Sequence, residues 1–365
     1  MHHFGILSFN HLNEKDYFTG LARYGFSKSV RSYLLNPDKM DVEKGTAIGL
    51  VYSPESDDWY EQEFQIPEIL YDRLYYRNEQ ELKSYFPVIS RLKSNSNYIF
   101  LGYGLPDKWM MYVNFRKNPH VKPYLPETKL VTDSRDVSKM LDNQTSLILK
   151  PLVGAQGRGI YLITKKNDSI LVQTIKEKEK IEKEMNKEQF LIWTKKLLSF
   201  NSYLVQPFLP LRDKFNRAFD IRIFYQRDEA GKWQERVRGL RVGKDNFFLS
   251  NLSAGGSIHP YDTWKADLPK EMQIFMDQEL ADLVRLLLDI LDSDYPPLFE
   301  VGFDFGIGQD GKVWLLEVNS KPGRTVAKEI SPDLLGVMQR ATIHYALTLL
   351  EHGKEPRRNE KGLPN

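Results

Sequence analysis

Short apolar runs separated by glycine, proline and charged residues dominate the first third of the chain. The runs FGILSF and AIGLVYS, and the start of IPEILYDRLYYRN, have the length and the branched or aromatic content of buried strands. The segment YFTGLARYGFSKSVRSYLL instead carries its apolar residues at helical spacing. Since strands and helical patterns alternate here, we expect a small α/β domain over residues 1–105.

A different pattern begins at Asp107, where DKWMMYVNFRKN predicts a helix with that aspartate as its N-cap. Further on, SLILKPLVGAQGRGIYLITKK predicts two strands joined by a glycine-rich loop. Residues 175–200 are densely charged and have a sparse apolar stripe, which predicts a solvated helix.

In the second half of the chain, the pattern predicts two hairpins and two helices. FDIRIFYQRD and WQERVRGLRVG predict the first hairpin, and LFEVGFDFGIGQDGKVWLLEVN predicts the second. A strongly apolar helix separates them, and a last helix covers about residues 332–351. The polar tail, residues 352–365, is expected to be disordered.

Two acidic residues of the second hairpin are predicted to face each other. Asp310-Gly311 is a favoured two-residue type I′ turn, and its register places Asp304 directly opposite Glu317. Asn319 then lies diagonally beside them on the same face. The residues expected on the opposite, core-facing side are Phe303, Phe305, Leu316 and Val318.

Opposed carboxylates in a half-buried sheet need a proton or a cation. Their β-carbons would be only ~4.5–5.5 Å apart, where like charges are destabilising. Because the cluster of Asp304, Glu317 and Asn319 offers only oxygen donors, it suits Mg²⁺ or Mn²⁺ better than Zn²⁺. A solvated polar face with exposed acids is the alternative interpretation.

The glycine-rich segment KPLVGAQGRGI has the spacing G-x-x-G-x-G but no Lys-Ser/Thr ending, and a strand follows it. This argues against both a P-loop and a dinucleotide-binding turn. A loop between antiparallel strands can still place backbone N–H groups over phosphates, with Lys150 adding a point charge. A flexible hairpin tip is the alternative.

The amino-acid composition excludes several classes of function for this protein. Lys and Arg number 51 against 49 Asp and Glu, so there is no global attraction to nucleic acid or to an anionic membrane. The absence of cysteine excludes disulfides, thiolate nucleophiles and cysteine-bound metals. No apolar run reaches the ~20 residues of a membrane span, and the N-terminus lacks the features of a signal peptide. We therefore expect a cytoplasmic protein without nucleic-acid or membrane partners.

Taken in chain order, these motifs resemble those of ATP-grasp enzymes. The matching segments, from about residue 106 to 323, are LPET (125–128), LILKP with GAQGRG, LVQPFL (204–209), DIR (220–222), Arg241 with NLSAGG (251–256), and FDF with EVN. Within that superfamily the chain is most similar to the YheC/YheD group of endospore-coat-associated proteins, through YDR (71–73), DKW (107–109), LPET and EVNSKPG. YDR itself is compatible either with substrate contact or with a structural Asp–Arg pair.

The resemblance implies an α/β (α+β) architecture. Two α+β subdomains would sandwich ATP over residues 106–351, with a lid at about 146–206, after the N-terminal α/β domain. It also implies an ADP-forming carboxylate–amine ligase that uses ATP, Mg²⁺ and an acyl phosphate, acting on a small molecule or a peptide. The alternatives are a phosphotransferase and a coat-associated nucleotide-binding protein without turnover. A homodimer or association with the spore coat is compatible with each.

Site residues carry over from the resemblance by position. The implied ATP contacts are Lys108, Lys150, Gly154, Gln156, Gly157, Gly159, Gln206, Pro207 and Phe208. The implied metal ligands are Asp304, Glu317 and Asn319, and the implied catalytic contacts are Arg222, Arg241 and Asn251. Lys321 or Arg324, at the exit of the last strand, would lie near the substrate.

Overall fold

The computed structural model of the protein describes residues 1–154 and 157–351. Helices and strands are both abundant, and the strands form three sheets that follow one another along the chain. The predicted disordered tail, residues 352–365, lies outside the described residues, as does Gln156.

The first sheet is built from residues 2–100. Its strands are β1 (His2–Leu7), β2 (Val30–Leu35), β3 (Met40–Asp41), β4 (Thr46–Ser53), β5 (Asp58–Gln65), β6 (Ile69–Asp72) and β7 (Ile99–Phe100). Their order is β3-β4-β2-β1-β6-β7, with β5 paired to β4. Helices α1 (Lys15–Ser27) and α2 (Glu79–Ser94) connect β1 to β2 and β6 to β7. Since β1 is parallel to both of its neighbours, this region has the predicted α/β character.

The helical pattern predicted from residue 17 to 35 covers only the first part of that segment. Helix α1 ends at Ser27, Ser29 adopts a positive φ of 60°, and Val30–Leu35 forms strand β2 parallel to β1. The apolar run of β2 is buried on both faces, so its spacing cannot distinguish a strand from a helix.

The second sheet follows α3 (Lys108–Phe115) and is antiparallel throughout. Its strands are β8 (Lys129–Val131), β9 (Ser146–Pro151), β10 (Tyr161–Lys165), β11 (Ile170–Lys176), β12 (Glu179–Met185) and β13 (Tyr203–Pro207), in the order β12-β11-β10-β9-β13-β8. Helices α4 (Ser134–Asp142) and α5 (Lys187–Leu198) pack against each other, and both contribute to the core under this sheet.

The helix predicted over residues 175–200 is wrong in its first half. Strands β11 and β12 form a hairpin there, with Glu177 and Lys178 at positive φ in the turn. Helix α5 starts only after Asn186, which forms a capping box with Gln189. Strand β12 is an exposed sheet edge whose charged residues lie on both faces, so it shows no two-residue alternation.

The third sheet contains both predicted hairpins. Its strands are β14 (Phe219–Arg227), β15 (Trp233–Val242), β16 (Ser257–Pro260), β17 (Glu300–Ile307) and β18 (Val313–Asn319), in the order β16-β15-β14-β17-β18. The remaining helices are α6 (Tyr261–Lys265), α7 (Lys270–Asp294), α8 (Thr325–Ile330) and α9 (Asp333–Glu351). Leu280 and Leu287 of α7 pack in one core with Phe303 and Phe305 of β17.

Asp304 pairs with Glu317 and Gly302 with Asn319, as the sequence predicts, but the predicted turn is wrong. Gly308 N donates to Lys312 O at 2.8 Å, so the loop has three residues, and its last residue, Gly311, has a φ of +79°.

A bulge restores the predicted register. The bulge lies at Leu316, between the pairs Asp304–Glu317 and Phe305–Leu315, so Phe305 pairs with Leu315 rather than with Leu316. The buried core residues of β18 are therefore Val313 and Leu315, and the predicted Leu316 is not one of them.

The first and third sheets share a core that includes the C-terminal helix. Phe18 of α1, Phe224 of β14, and Met338 and Ile343 of α9 belong to one buried cluster. The predicted domain boundary near residue 105 stays a prediction, and the hydrophobic packing continues across it.

Candidate active site

A cleft of about 3430 Å³ brings the predicted site residues together. Those that line it are Lys108, Lys150, Gly154, Gly157, Gln206, Pro207, Phe208, Arg222, Arg241, Asn251, Asp304, Glu317 and Asn319. Gly159 belongs to the same glycine-rich loop, although it does not line the cleft. The cleft therefore receives side chains from the second and third sheets, and from α3 between the first two sheets.

Two arginines hold Asp304. Arg222 lies directly across from it on β14 and donates through Nε and through Nη2, the latter at 2.9 Å. Arg241 on β15 places its Nη2 2.8 Å from the same carboxylate. Burial alone would raise the pKa of Asp304, but the two guanidinium groups lower it to about 2. Asp304 is thus a fixed anion at neutral pH.

Arg241 also binds a second acid. Its Nε donates to Asp220 Oδ1 at 2.7 Å, and the Ser250 hydroxyl donates to the other oxygen of Asp220. Burial raises the pKa of Asp220, and the charge of Asp304 adds to that effect. The side chain of Arg241 is held between these two carboxylates, which fixes its position at the floor of the cleft.

Glu317 of the third sheet pairs with a lysine of helix α3. Lys108 is the first residue of α3, and its Nζ lies 3.1 Å from Glu317 Oε1. The helix begins there because the Asp107 side chain accepts from Met110 N at 2.9 Å, as predicted for an N-cap. Burial and Asp304 raise the pKa of Glu317, but Lys108 and Lys150 bring it below its ordinary value.

Lys150 is a cation of the cleft that has no direct carboxylate partner among residues 1–154 and 157–351. It lies on the central strand β9, which pairs with β10 and β13. Burial and the charge of Lys108 lower its pKa to about 8, although Glu317 and Asp304 act in the opposite direction. Since an incoming anion would relieve this cost, Lys150 is suited to phosphate binding.

The glycine-rich loop reaches the opposite wall of the cleft. Gly154, Gly157 and Gly159 all have positive φ values, of +139°, +72° and +71°. The carbonyl of Gly154 lies 3.4 Å from Lys108 Nζ, and a β-carbon at Gly157 would lie 2.6 Å from Asn251 Cγ. This close approach needs glycine for both conformation and space.

Gly157→Ala is therefore expected to lower turnover by about 10-fold or more, because the loop would no longer close on Asn251. Steady-state turnover of ATP measures the loss of activity, and thermal melting measures whether the variant remains folded. Gly231→Ala is the matched control, since Gly231 has a φ of +73° but, among the described residues, a β-carbon added there would meet only Tyr345, at 3.9 Å. Equal loss of turnover in both variants would contradict a specific role for Gly157.

An apolar slot lies beside Lys150. Ile148 of β9 and Phe248 form a buried cluster against which Phe208 packs. Gln206 is buried, and its Nε2 donates to Thr128 Oγ1 at 2.7 Å, so strand β13 is tied to the LPET segment. The sequence could have indicated Ile148, two residues before Lys150 on the same strand face. Phe248 carries no such signal.

The paired carboxylates fit the donor preference of Mg²⁺. Asp304 and Glu317 are direct neighbours in register, with Asn319 opposite Gly302. No group of three or more acidic, histidine or cysteine residues in the described part of the chain forms a metal cluster. Mg²⁺ is compatible with that, because it usually takes one or two carboxylates and completes its shell with water and phosphate oxygens.

The YDR and KPGR segments meet beside this site. Asp72 and Arg73 do not pair with each other, so the predicted structural Asp–Arg pair is wrong. Asp72 binds Lys93 at 2.8 Å and Lys321 at 2.6 Å, whereas Arg73 binds Glu300 at 3.1 Å. These pairings join the first sheet to the end of the third.

Comparison with known proteins identifies the family. A family model described as YheC/D like ATP-grasp matches residues 97–349. The chain is also 33% identical over 331 residues to the endospore coat-associated protein YheC of Bacillus subtilis (strain 168), covering 90% of this chain and 91% of that protein. The chain belongs to the YheC/D-like ATP-grasp family. The resemblance predicted from the motifs is thereby confirmed.

Solved structures confirm the predicted ATP-grasp fold and its α+β class. D-alanyl-alanine synthetase A from Vibrio cholerae superposes with a TM-score of 0.53 at 12% identity, over 97% of this chain and 94% of that one. N5-carboxyaminoimidazole synthetase from Staphylococcus aureus, complexed with ADP, gives a TM-score of 0.53 at 12% identity, over 94% of this chain and 77% of that one. At such identities the likeness shows the fold alone.

Across residues 1–154 and 157–351, no helix combines the length and the apolar composition that crossing a membrane requires.

Proposed function

We propose that this ATP-grasp protein is an ATP- and Mg²⁺-dependent carboxylate–amine ligase that forms ADP through an acyl phosphate. The observation that carries the proposal is the juxtaposition in one cleft of Lys150, a cation without a direct carboxylate partner among the described residues, with the opposed carboxylates of Asp304 and Glu317. This arrangement matches a metal-bound polyphosphate, because Lys150 suits its anionic phosphate oxygens and the two carboxylates suit its bound metal cation.

ATP would lie along the cleft. The apolar slot of Ile148, Phe208 and Phe248 suits the adenine ring, with the backbone of Gln206 and Pro207 at its edge. Lys108 and Lys150 would contact the phosphates, and the glycine-rich loop around Gly154, Gly157 and Gly159 would cover them. The ADP complex of the structurally similar Staphylococcus aureus synthetase supports a nucleotide in this fold.

Asp304, Glu317 and Asn319 would hold Mg²⁺ at the third sheet. When bound, Mg²⁺ neutralises phosphate charge that would otherwise repel a substrate carboxylate. Arg222 donates twice to Asp304, so its role would be to orient the Asp304 carboxylate toward the metal rather than to touch the substrate.

The chemistry requires no protein nucleophile. An oxygen of the substrate carboxylate attacks the γ-phosphorus, the bond to the bridging oxygen breaks, and ADP leaves. The amine then attacks the acyl carbonyl, inorganic phosphate leaves, and the amine loses a proton as the amide forms. Arg241 and Asn251 would stabilise charge on the transferring phosphoryl group, while the loop excludes water.

An assay with ATP, Mg²⁺ and a panel of amino acids and peptides tests the proposal. Release of ADP and phosphate together with a new amide mass is the expected result. A stable phosphorylated product would instead make the protein a phosphotransferase. No nucleotide binding in calorimetry would overturn both enzymatic functions and favour a structural role. Because its Bacillus subtilis relative is named endospore coat-associated, peptides and small molecules of the spore coat are the substrates to try first.

A further inference from the structure

The cleft extends beyond the residues of the proposed reaction. Pockets that bind small molecules usually measure about 300–1,000 Å³, whereas this cleft measures about 3430 Å³, so it has room for a longer substrate beside ATP. Phe9, Tyr76 and Phe86, three aromatic residues from the N-terminal part of the chain, line it as well. The proposed ligase reaction makes no use of these residues.

Helix α2 supplies one wall of this region. Four of its residues line the cleft at intervals of three or four positions, which places them on one helical face: Leu82, Phe86, Ser90 and Lys93. The helix is held from another side, where Leu92 packs in the core of the first sheet. Along the cleft, the wall therefore changes from apolar at Leu82 and Phe86 to polar at Ser90 and Lys93.

The aromatic rings of this wall are accessible from the cleft. Phe86 is 50% exposed, and an apolar ring that is exposed within a concave surface is typical of a site that binds an apolar group. The rings of Phe9 and Tyr76 lie 5.6 Å apart, and both are only partly buried against the core of the first sheet. Phe9 also lies 4.8 Å from the ring of Tyr85, the residue before Phe86. Three chain segments thus bring their aromatic side chains together.

Two contacts connect this aromatic wall to the proposed reaction site. The ring of Tyr76 lies 5.8 Å from the Nζ atom of Lys321, which follows the candidate metal ligand Asn319 by two residues. A β-carbon added to Gly154 of the glycine-rich loop would lie 3.6 Å from the carbonyl oxygen of Arg77, the residue after Tyr76. A ligand at the reacting centre can therefore reach the aromatic wall without leaving the cleft.

The length of α2 sets the length of the ligand. Lys93 marks the end of the wall nearest the reacting centre, because Lys93 and Lys321 bind the same carboxylate, that of Asp72. From Lys93 to Phe86 the helix covers seven residues, or about 10 Å at a rise of about 1.5 Å per residue. An extended peptide covers about 10 Å with three residues. A peptide of about this length would reach from the reacting centre to Phe86.

We propose that Phe9, Tyr76 and Phe86 bind an apolar or aromatic side chain of the substrate, which is therefore a peptide rather than a free amino acid. The inference rests on the proposed ligase function only for the identity of this peptide as the substrate. Burial of an apolar side chain against the half-exposed rings would stabilise the complex without any ionised group. Residues 352–365 suit this wall poorly, because Leu363 is the only large apolar residue among them.

The test uses a peptide that carries the side chain but cannot react. Acetyl-Gly-Phe-Gly-amide has neither a free amine nor a free carboxylate, and acetyl-Gly-Ser-Gly-amide is its polar counterpart. Calorimetry with the full chain and saturating ADP and Mg²⁺ is expected to show that the phenylalanine peptide binds at least about 10-fold tighter than the serine peptide. The ADP keeps the probe out of the proposed adenine slot.

Two phenylalanines of nearly equal exposure provide the variant and its control. Phe86 on α2 is 50% exposed and Phe275 on α7 is 49% exposed, but of these two only Phe86 lines the cleft. Phe86→Ser is expected to weaken binding of the phenylalanine peptide about 10-fold or more, and Phe86→Leu to retain it within a few-fold. Phe275→Ser is expected to leave it unchanged. Unchanged ADP binding by Phe86→Ser shows that the variant is folded.

Several results would overturn this assignment. They include equal binding of the two peptides, no binding of the phenylalanine peptide at tens of millimolar, and equal losses in Phe86→Ser and Phe275→Ser. Binding that occurs without ADP and disappears with it would place the probe in the adenine slot. A wild-type dimer that Phe86→Ser converts to a monomer in sedimentation would make the wall a subunit interface. Since the probe needs no turnover, failure to form an amide in the panel would remove the ligase function without affecting the binding result.

Discussion

Glu317→Gln is expected to reduce ADP formation by about 1000-fold or more while the protein stays folded. Glu317 faces Asp304 across the hairpin and pairs with Lys108, so the substitution removes one of the two candidate metal carboxylates and leaves Lys108 without this ion pair. The glutamine side chain keeps the shape and one oxygen but loses the charge. Steady-state ADP release at several Mg²⁺ concentrations measures the effect.

Glu329→Gln is the control for this variant. It removes the same charge from an exposed position on α8, so activity and Mg²⁺ dependence are expected to stay at the wild-type level. Circular dichroism and thermal melting of Glu317→Gln are expected to match the wild type, because its side chain is partly exposed. Full activity in Glu317→Gln would show that the metal assignment is wrong.

Glu300→Ala is expected to lower the free energy of unfolding by about 3–5 kcal/mol. The Glu300 carboxylate is buried, and both Arg73 and Arg324 bind it, at 3.1 Å and 2.9 Å. Tyr71 and Gln226 donate to it as well, at 2.5 Å and 3.0 Å. Its removal leaves two buried guanidinium groups short of negative charge and two donors without their acceptor. Urea unfolding followed by circular dichroism measures the loss.

The exposed pair of Asp282 and Arg285 provides the comparison. It spans one helical turn of α7 at 3.0 Å, with both side chains more than half exposed, so Asp282→Ala is expected to cost under about 1 kcal/mol. A similar small loss in Glu300→Ala would mean that the network around Glu300 rearranges without penalty. That outcome would contradict its role in joining the first and third sheets.

Two hairpins show which local signals suffice to predict a strand. In the hairpin of β17 and β18, the predicted pairing of Asp304 with Glu317 is observed, although a three-residue loop and a compensating bulge replace the simple turn. In the hairpin of β11 and β12, the charge pattern predicts a helix, because an exposed edge strand carries charge on both faces and lacks an apolar stripe. Patterns predict an element well where one face is buried and poorly where neither is.

The family, the order of its motifs, and most strands and helices can be derived from the amino-acid sequence alone. Buried alternation, N-caps and glycine turns act within a few residues, so they can be read along the chain. Which charges meet depends instead on the tertiary structure. Asp72 binds Lys321, 249 positions away. Arg222 on β14 binds Asp304 on the neighbouring strand β17. Such pairs depend on how sheets pack, because the free energy of burying a charge is offset by whichever partner the fold brings close.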